Sequence, residues 1–235
     1  MSHVNYCGWA HYLFALFRRH HHVPRYILDI SCGTGSLMVE FIKNGCDPFG
    51  ADRSLDMLMY AAQKLYKLGK SNRLFIADIS AVPVKNVFDT ILCTYDSMNY
   101  ISPMEALITD VQNIVQALPP NGVFIFDVSS EYNCRAFFNG TSFSSYCGSY
   151  KYTQYSYFQQ FDKIEFTDFI IQNIKTSERF KERHVQYIYP VHGLYAALQK
   201  ALPHPIFIYK DYTFEKPLDE QCERVHFYIE KTSVD

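Results

Sequence analysis

Positive charge is not in excess in this 235-residue chain: 22 Lys and Arg face 24 Asp and Glu, for a net charge of −2. No block of five or more like charges occurs either. Polymeric nucleic acid is usually met by a basic patch or stripe, so it is a disfavoured substrate. No apolar run approaches the ~20 residues that a membrane helix needs, so no membrane partner is expected. The stretch from Met1 to Ala10 lacks the basic start and apolar core of a secretory leader. The cysteines (Cys7, Cys32, Cys46, Cys93, Cys134, Cys147 and Cys222) contain no C-x-x-C pair, and their number is odd. Several fall in expected strands or tight turns, where a free thiol acts as a small apolar residue. A reducing, cytoplasmic location is the simplest reading. No metal centre is expected. His20-His21-His22 is the obvious candidate, but neighbouring residues at a helix end point in different directions, and histidine there suits the helix dipole.

What is present is an ordinary globular composition, 48% hydrophobic and 20% charged. The length suffices for one sizeable core. Aromatics are abundant, with 19 Tyr and 19 Phe, many of the tyrosines lying between Tyr146 and Tyr212. Strand propensity in an antiparallel sheet is the first reading of them; the alternative is that some line a substrate pocket.

The hydrophobic pattern alternates strand and helix. Residues 7–20 carry Trp9, Leu13, Phe14, Leu16 and Phe17 at helical spacing. Tyr26 to Ile30 reads as the first strand, Ser36 to Asn44 as a helix stopped by Gly45, and Cys46 to Asp52 as the second strand. Ser54 is the expected N-cap of a helix running to Leu68-Gly69. Strands follow at Leu74 to Ala77 and Val87 to Thr94. A helix from Pro103 to Leu118 and a strand from Val123 to Val128 complete the run. Short loops between such elements predict an α/β fold with a doubly wound, seven-stranded, mostly parallel sheet. Then the pattern changes. Tyr150 to Tyr157, Lys163 to Ile171 and Glu178 to Tyr187 read as three strands with no helix between them. Pro190 begins a helix to Ala201. Pro205 to Tyr209 and Arg224 to Ile229 are expected to close the main sheet as an antiparallel pair. The whole of 1–235 reads as a single domain, with 145–188 as an inserted antiparallel subregion after the fifth strand, serving substrate binding or dimerisation.

The first strand ends in Asp29 and a turn holding Gly33-Thr34-Gly35; the second ends in Asp52. Such a turn and such an acid on one sheet edge point to a nucleoside-bearing cofactor. A dinucleotide fold would carry a third glycine where Met38 stands, and no Gly-Lys-Ser/Thr end marks a P-loop. Asp29 beside the turn would repel a pyrophosphate. It suits a cofactor with an ammonium group and no phosphate, such as S-adenosylmethionine.

Leu28-Asp29-Ile30-Ser31-Cys32-Gly33-Thr34-Gly35, Gly50-Ala51-Asp52-Arg53-Ser54-Leu55-Asp56-Met57-Leu58, Ala77-Asp78-Ile79, Phe88 to Tyr100 and Leu118 to Phe124 together resemble the ordered motifs of class I S-adenosylmethionine-dependent methyltransferases. The resemblance covers about residues 24–130. Asp96 to Tyr100, Phe126-Asp127-Val128, Phe137 to Phe143 and Arg224 to Tyr228 are similar to the small bacterial YqeM-like branch, with sugar N-methyltransferases more distant. The resemblance implies S-adenosylmethionine as cofactor, S-adenosylhomocysteine as product and a small-molecule acceptor.

It also implies roles. Asp29 would sit near the methionine ammonium, with the backbone of Ser31, Cys32, Gly33, Thr34 and Gly35 around the methionine tail. Asp52 would hold the ribose hydroxyls, Arg53 and Met57 would flank the adenine, and Asp78 and the Ile79 amide would meet its edge. Thr94, Tyr95 and Ser97 would line the floor below the sulfonium. Tyr6 and Trp9 would close the pocket. The family usually has Gly where Ser31 stands and an apolar residue where Arg53 stands. Relatives also often carry an added segment before Tyr6 that covers the site, so either the lid is built differently or the chain is shortened.

Methyl transfer from a sulfonium needs alignment and desolvation more than a catalytic triad. Tyr100 is the leading catalytic candidate, matching a His in the sugar N-methyltransferases; Asn99, Asp127 and His184 follow. The expected activity is methyl transfer to N or O of a small molecule. The alternatives are an RNA-modifying methyltransferase, for which Thr94-Tyr95-Asp96-Ser97 lacks the polar-Pro-Pro-aromatic motif, and a non-catalytic cofactor-binding scaffold. The Tyr-rich inserted sheet is a candidate homodimer surface.

Overall fold

The computed structural model describes residues 4–70, 72–218 and 221–232. Helix α1 (Tyr6–Arg19) is followed by β1 (Ile27–Asp29), α2 (Ser36–Lys43), β2 (Phe49–Asp52), α3 (Leu55–Tyr66) and β3 (Leu74–Ile76). Then come β4 (Thr90–Cys93), α4 (Met104–Ala117) and β5 (Val123–Ser129). The chain next makes a short helix α5 (Glu131–Asn133), running into a π-helical turn (Cys134–Phe138). Four antiparallel strands follow: β6 (Thr141–Cys147), β7 (Tyr150–Gln159), β8 (Ile164–Asn173) and β9 (Arg179–Tyr187). Helix α6 (Val191–Ala201) and strands β10 (Ile206–Lys210) and β11 (Arg224–Glu230) end the described chain.

The main sheet has seven strands in the order β10-β11-β5-β4-β1-β2-β3. β5, β4, β1, β2 and β3 are mutually parallel, and β11 pairs antiparallel with both β5 and β10. Strand order therefore reverses between β1 and β4, which is where α/β sheets open a crevice at their carboxyl ends. The doubly wound fold read from the alternation is what forms, and the closing antiparallel pair lies where Pro205 and Arg224 placed it.

Each face of the sheet carries its own core. On one, Leu28, Ile91, Phe124, Phe126 and Phe227 meet α4 and α6 through Val111, Ile114, Leu194 and Leu198. On the other, Ile27, Leu92, Ile125 and Tyr228 meet α1 and α2 through Leu13, Leu16, Phe17, Leu37 and Phe41. β4 and β5 are buried on both faces, which is why they read as continuous apolar runs rather than alternating ones. Ser54 caps α3 as expected, its hydroxyl accepting from the Met57 amide at 3.3 Å.

The insertion holds one strand more than the three expected. β6 lies at the sheet edge, almost entirely exposed on both faces, and the subregion starts at Thr141, ahead of the 145–188 boundary. Its sequence is flanked by Gly140 and Gly148 and rich in serine, so no buried face announces it. The sheet docks through a small apolar cluster of Cys134, Phe158 and Ile188 and through Asn99. The Asn99 amide is fully buried. Its nitrogen donates to the Tyr187 carbonyl at 2.8 Å and its oxygen accepts from the Ser129 amide at 2.9 Å. One side chain thus ties the end of β9 to the end of β5, which accounts for Asn99 structurally. Asn99→Ala leaves a buried carbonyl and a buried amide without partners, each costing about 1–3 kcal/mol. A loss of about 2–4 kcal/mol in urea unfolding is expected, and an unchanged midpoint would show that the docking does not depend on Asn99.

Candidate functional site

The crevice at the β1–β4 switch is built by strand ends. After β1 the chain turns through Gly33 and Gly35, both left-handed at φ 52° and 69°. Gly35 is the N-cap of α2 and sits against α3, where an added Cβ would meet the Ala61 Cβ at 3.0 Å. An added Cβ on Gly33 would meet nothing within 4 Å, so that part of the turn faces open space. The turn is fastened from β2. Asp52 accepts from the Gly33 amide at 2.8 Å with one carboxylate oxygen and from the Ser54 amide at 2.9 Å with the other. Each oxygen retains a lone pair, since a carboxylate offers about four acceptor sites.

Asp29 lies beside this turn, 3% exposed. Its carboxylate accepts from the Ser31 amide at 3.3 Å. Burial pushes its pKa up to about 7; the Ser31 amide works against the rise, and the charges of Asp52 and Asp127 add to it. The Ser31 hydroxyl turns away toward β4, donating to the Thr94 carbonyl at 3.4 Å, so the serine found in place of glycine is accommodated between strands.

At the start of α2, Lys64 reaches across from α3 and donates to Thr34 Oγ1 at 2.9 Å and Ser36 Oγ at 2.8 Å. Burial lowers its pKa. Tyr6 of α1 bonds to Ser36 at the same place. Burial raises the Tyr6 pKa, the Ser36 bond opposes the rise, and the charge of Asp29 adds to it. Tyr6, Ser36, Thr34 and Lys64 thus converge at the mouth of the turn. Lys64 is a member that the sequence reading missed, because only the packing of Gly35 on Ala61 brings that helix face over.

After β4, Tyr95 and Asp96 are both left-handed, at φ 66° and 51°, and a 3-10 turn (Ser97–Tyr100) follows. Left-handed backbone at non-glycine residues costs about 1–2 kcal/mol each, so something must hold it. Asp127 of β5 does so, accepting from the Tyr95 amide at 2.8 Å and the Asp96 amide at 2.7 Å. Arg224 of β11 bridges the carboxylates of Asp127 and Asp96. Gln186 of β9 donates to Asp96 at 2.6 Å. Burial raises the Asp127 pKa, with Arg224 pulling it back. Burial also works against the Arg224 charge, but Asp96 and Asp127 outweigh it and hold its pKa well up. The guanidinium lies over the rings of Trp9, at 5.4 Å, and Tyr95, at 5.6 Å.

The remaining expected site residues fall as follows. Trp9 does not stand at the mouth: it is 3% exposed and packs on Tyr95, Tyr212 and His226, so it supports Tyr95 from behind. Arg53 and Met57 are exposed at the end of β2 and the start of α3. Asp78 caps the short turn Ile79–Ala81, accepting from the Ser80 amide at 3.0 Å, while Ile79 packs on the core. Cys32 is buried, packing with Met38 of α2 and Leu58 and Leu65 of α3. Thr94 is buried, its carbonyl accepting the hydroxyls of both Ser31 and Ser97. Tyr100 is half-exposed, and its hydroxyl lies 2.7 Å from Nδ1 of His184. Two of the candidates, 84 residues apart, are therefore brought into contact.

The family model described as a methyltransferase domain matches residues 27–122, the span holding this crevice. The Bacillus subtilis protein YqeM, itself named only as a methyltransferase candidate, is 26% identical over 99% of this chain and 93% of its own length. The crystal structure of a S-adenosylmethionine-dependent methyltransferase from Clostridium acetobutylicum superposes with a TM-score of 0.83 at 25% identity, covering 99% of this chain and 94% of that one. A Streptomyces venezuelae amino-sugar N,N-dimethyltransferase is 28% identical over 101 residues, which is 43% of this chain and 41% of that protein.

The chain carries a methyltransferase domain in the fold of the S-adenosylmethionine-dependent methyltransferases.

The chemistry of the methyltransferase crevice fits its cofactor. A buried carboxylate without a cation, Asp29, suits an ammonium. The open turn at Gly33 admits a chain lying against backbone, and Asp52 has lone pairs left for a diol. Among the described residues no group of three or more His, Cys, Asp or Glu could hold a metal ion, and no described helix is long and apolar enough to cross a membrane.

The state of Asp29 sets a pH dependence. Its folded pKa of about 7 lies above the unfolded value, so the native state holds the proton longer than the unfolded chain. Stability therefore falls as pH rises from about 4 to about 7, and the full cost is present above that. Asp29→Asn removes the cost. The variant is expected to be more stable than the wild type by about 2–4 kcal/mol at pH 8, the difference vanishing near pH 4. Denaturant unfolding at both values checks this, and a variant less stable at pH 8 would refute it.

Proposed function

We propose that this methyltransferase transfers its methyl group to the nitrogen of a small-molecule amine. The observation that carries the reading is the electrostatic setting of Tyr100. The charges of Asp96, Glu165 and Glu182 raise its pKa and Arg53 lowers it. Asp96 is paired with Arg224, which leaves Glu165 and Glu182 as the carboxylates that favour an acceptor that carries or develops positive charge. The partial similarity to an amino-sugar N,N-dimethyltransferase supports the same class of acceptor.

When bound, S-adenosylmethionine supplies an electrophilic methyl group on a sulfonium with a good leaving group. The chain's own residues hold and orient. Asp29 takes the methionine ammonium, and the backbone of Ser31, Cys32, Gly33, Thr34 and Gly35 lines the methionine tail. Lys64 and the Tyr6 hydroxyl, gathered at Ser36, are suited to the methionine carboxylate. Asp52 accepts from the ribose hydroxyls. The Arg53 stem and Met57 flank the adenine, since a long charged side chain can cover apolar surface with its methylenes. Asp78 and the Ile79 amide meet the adenine edge. Thr94, Ser97 and Tyr95 form the floor, with Trp9 behind Tyr95 keeping that ring in place. Tyr100 orients the acceptor and touches the proton it must lose.

The test is calorimetric titration with S-adenosylmethionine and S-adenosylhomocysteine, followed by an amine panel that includes 3-amino sugar nucleotides. Micromolar cofactor binding is expected. Asp52→Asn is expected to weaken it about 10- to 100-fold, because each hydrogen bond to a charged group is worth about 1.5–3 kcal/mol. Turnover restricted to hydroxyl acceptors would overturn the amine reading while leaving the cofactor site standing. A folded chain that binds neither ligand would overturn both.

A further inference from the structure

Tyr100 stands at the seam between the main sheet and the inserted one. Its hydroxyl lies 2.7 Å from Nδ1 of His184 on β9. The other ring nitrogen of His184, Nε2, lies 3.3 Å from a carboxylate oxygen of Glu182, two residues earlier on the same strand face. A carboxylate only accepts, so the approach of Glu182 favours the tautomer with its proton on Nε2. Nδ1 is then a lone pair, and it faces the phenol. The Phe169 ring, 5.4 Å away and edge-on, covers one side of the imidazole.

The phenol itself is a poor base. Burial raises its pKa, the carboxylates of Asp96 and Glu165 raise it further, Arg53 opposes them, and Glu182 adds to the rise. Tyr100 therefore keeps its proton at neutral pH and can only pass one on. The groups facing His184 are Tyr100 from the turn after β4, Glu182 on its own strand, and Phe169 and the cross-strand Thr167 on β8. Its sequence neighbour Arg183 is engaged by Asp168 at 2.6 Å. The Glu182 side chain is 61% exposed, so the far end of the row opens to water.

We propose that Tyr100, His184 and Glu182 form a proton-exit relay for the transfer, with His184 as the base that acts through Tyr100. This rests on the reading of Tyr100 given above and adds His184 and Glu182 as positioning residues. As the acceptor nitrogen forms its new N–C bond, the C–S bond breaks and its electron pair stays on sulfur, giving S-adenosylhomocysteine. The nitrogen is left with one proton too many. That proton goes to Tyr100 Oη while the phenol's own proton goes to His184 Nδ1. The imidazolium, stabilised by Glu182, gives up a proton to water and regains its starting tautomer by exchange.

The first arm of the test needs no acceptor. In the full chain labelled with ¹⁵N-histidine and saturated with S-adenosylhomocysteine, the His184 resonances are assigned by their loss in His184→Gln. The Nε2-protonated tautomer is expected, with that preference lost in Glu182→Gln and the Nδ1 resonance moved in Tyr100→Phe. An Nδ1-protonated ring, which would donate to Tyr100 instead, overturns the relay, as do ring resonances that neither variant moves. The second arm reads the pH profile of single-turnover methylation of a 3-amino sugar nucleotide. His184→Gln is expected to lose the acidic limb and about 10²- to 10⁴-fold in rate, with its affinity for S-adenosylhomocysteine unchanged. An acidic limb that persists in His184→Gln overturns the proposal. Absence of wild-type turnover with cofactor affinity intact counts against the amine reading alone, and the tautomer then decides the relay.

Discussion

The buried ion cluster of Asp96, Arg224 and Asp127 is the constraint on which the crevice depends. Asp127 is fully buried and Arg224 nearly so, and each would be costly to bury alone. Together they fasten elements that are distant in sequence. Asp127 holds the left-handed pair Tyr95-Asp96 through two amides. Arg224 brings β11 to that turn, and Gln186 brings β9. The ring of Tyr95 then packs against both the Arg224 guanidinium and Trp9, which also touch each other. Without the cluster, the backbone strain at two adjacent residues would have no compensation and the turn after β4 would relax. The catalytic candidate Tyr100 sits at the end of that turn. Its position is thus set by the electrostatic bond at the start of the turn together with Met98, buried in the core, and Asn99.

Asp29 presents the opposite case. It is as buried as Asp127 but has no arginine, and Asp52 and Asp127 both repel its charge. A fold optimised for stability alone would place a neutral residue there. The two carboxylates, on β1 and β5 with β4 between them, thus differ: one is compensated by an arginine and holds the scaffold, and the other is buried without such a partner. The histidine in the same region follows the stability logic. His226 is buried beside Arg224, and burial together with that charge drops its pKa to about 3, so it stays a neutral aromatic filler against Tyr12 and Tyr212.

The Rossmann-like half of the chain was legible because its signals are local. Glycine and aspartate at the ends of apolar runs mark turns and strand ends, Ser54 marks a helix start, and strands buried on both faces read as unbroken apolar stretches. The parts that were not legible depend on pairing across the chain. Nothing in the sequence joins Asp127 to Arg224, 97 positions apart, or carries Lys64 to the α2 turn. β6 escaped notice because it is an edge strand exposed on both faces and so carries no alternation. Trp9 was expected to close the pocket on the strength of the family resemblance. The rotation of α1 instead turns it onto the Arg224 cluster, and Tyr6, three residues earlier, is the ring that reaches the turn of α2.

The inserted sheet explains why acceptor chemistry is harder to read than cofactor chemistry. The groups of the crevice come from strand ends of a single sheet, whose register is fixed by the apolar pattern. The groups around Tyr100 come from two sheets. On the insertion, Ser156, Glu165, Thr167, His184 and Gln186 share one face through the cross-strand pairs of β7, β8 and β9. They form a polar surface pressed against the turn that carries Asp96 and Tyr100. Ser156 bonds to Thr167 and Thr167 to Glu165, so the inner part of this face is satisfied internally. The outer part, at His184, reaches across to the main sheet instead. A sheet docked by one buried amide, one small apolar cluster and polar bridges can change its side chains without disturbing the seven-stranded core. Residues at that seam can be exchanged at less structural cost than Asp52, whose carboxylate fastens the Gly33 turn. The contact between Tyr100 and His184 lies at this seam, outside the seven-stranded core.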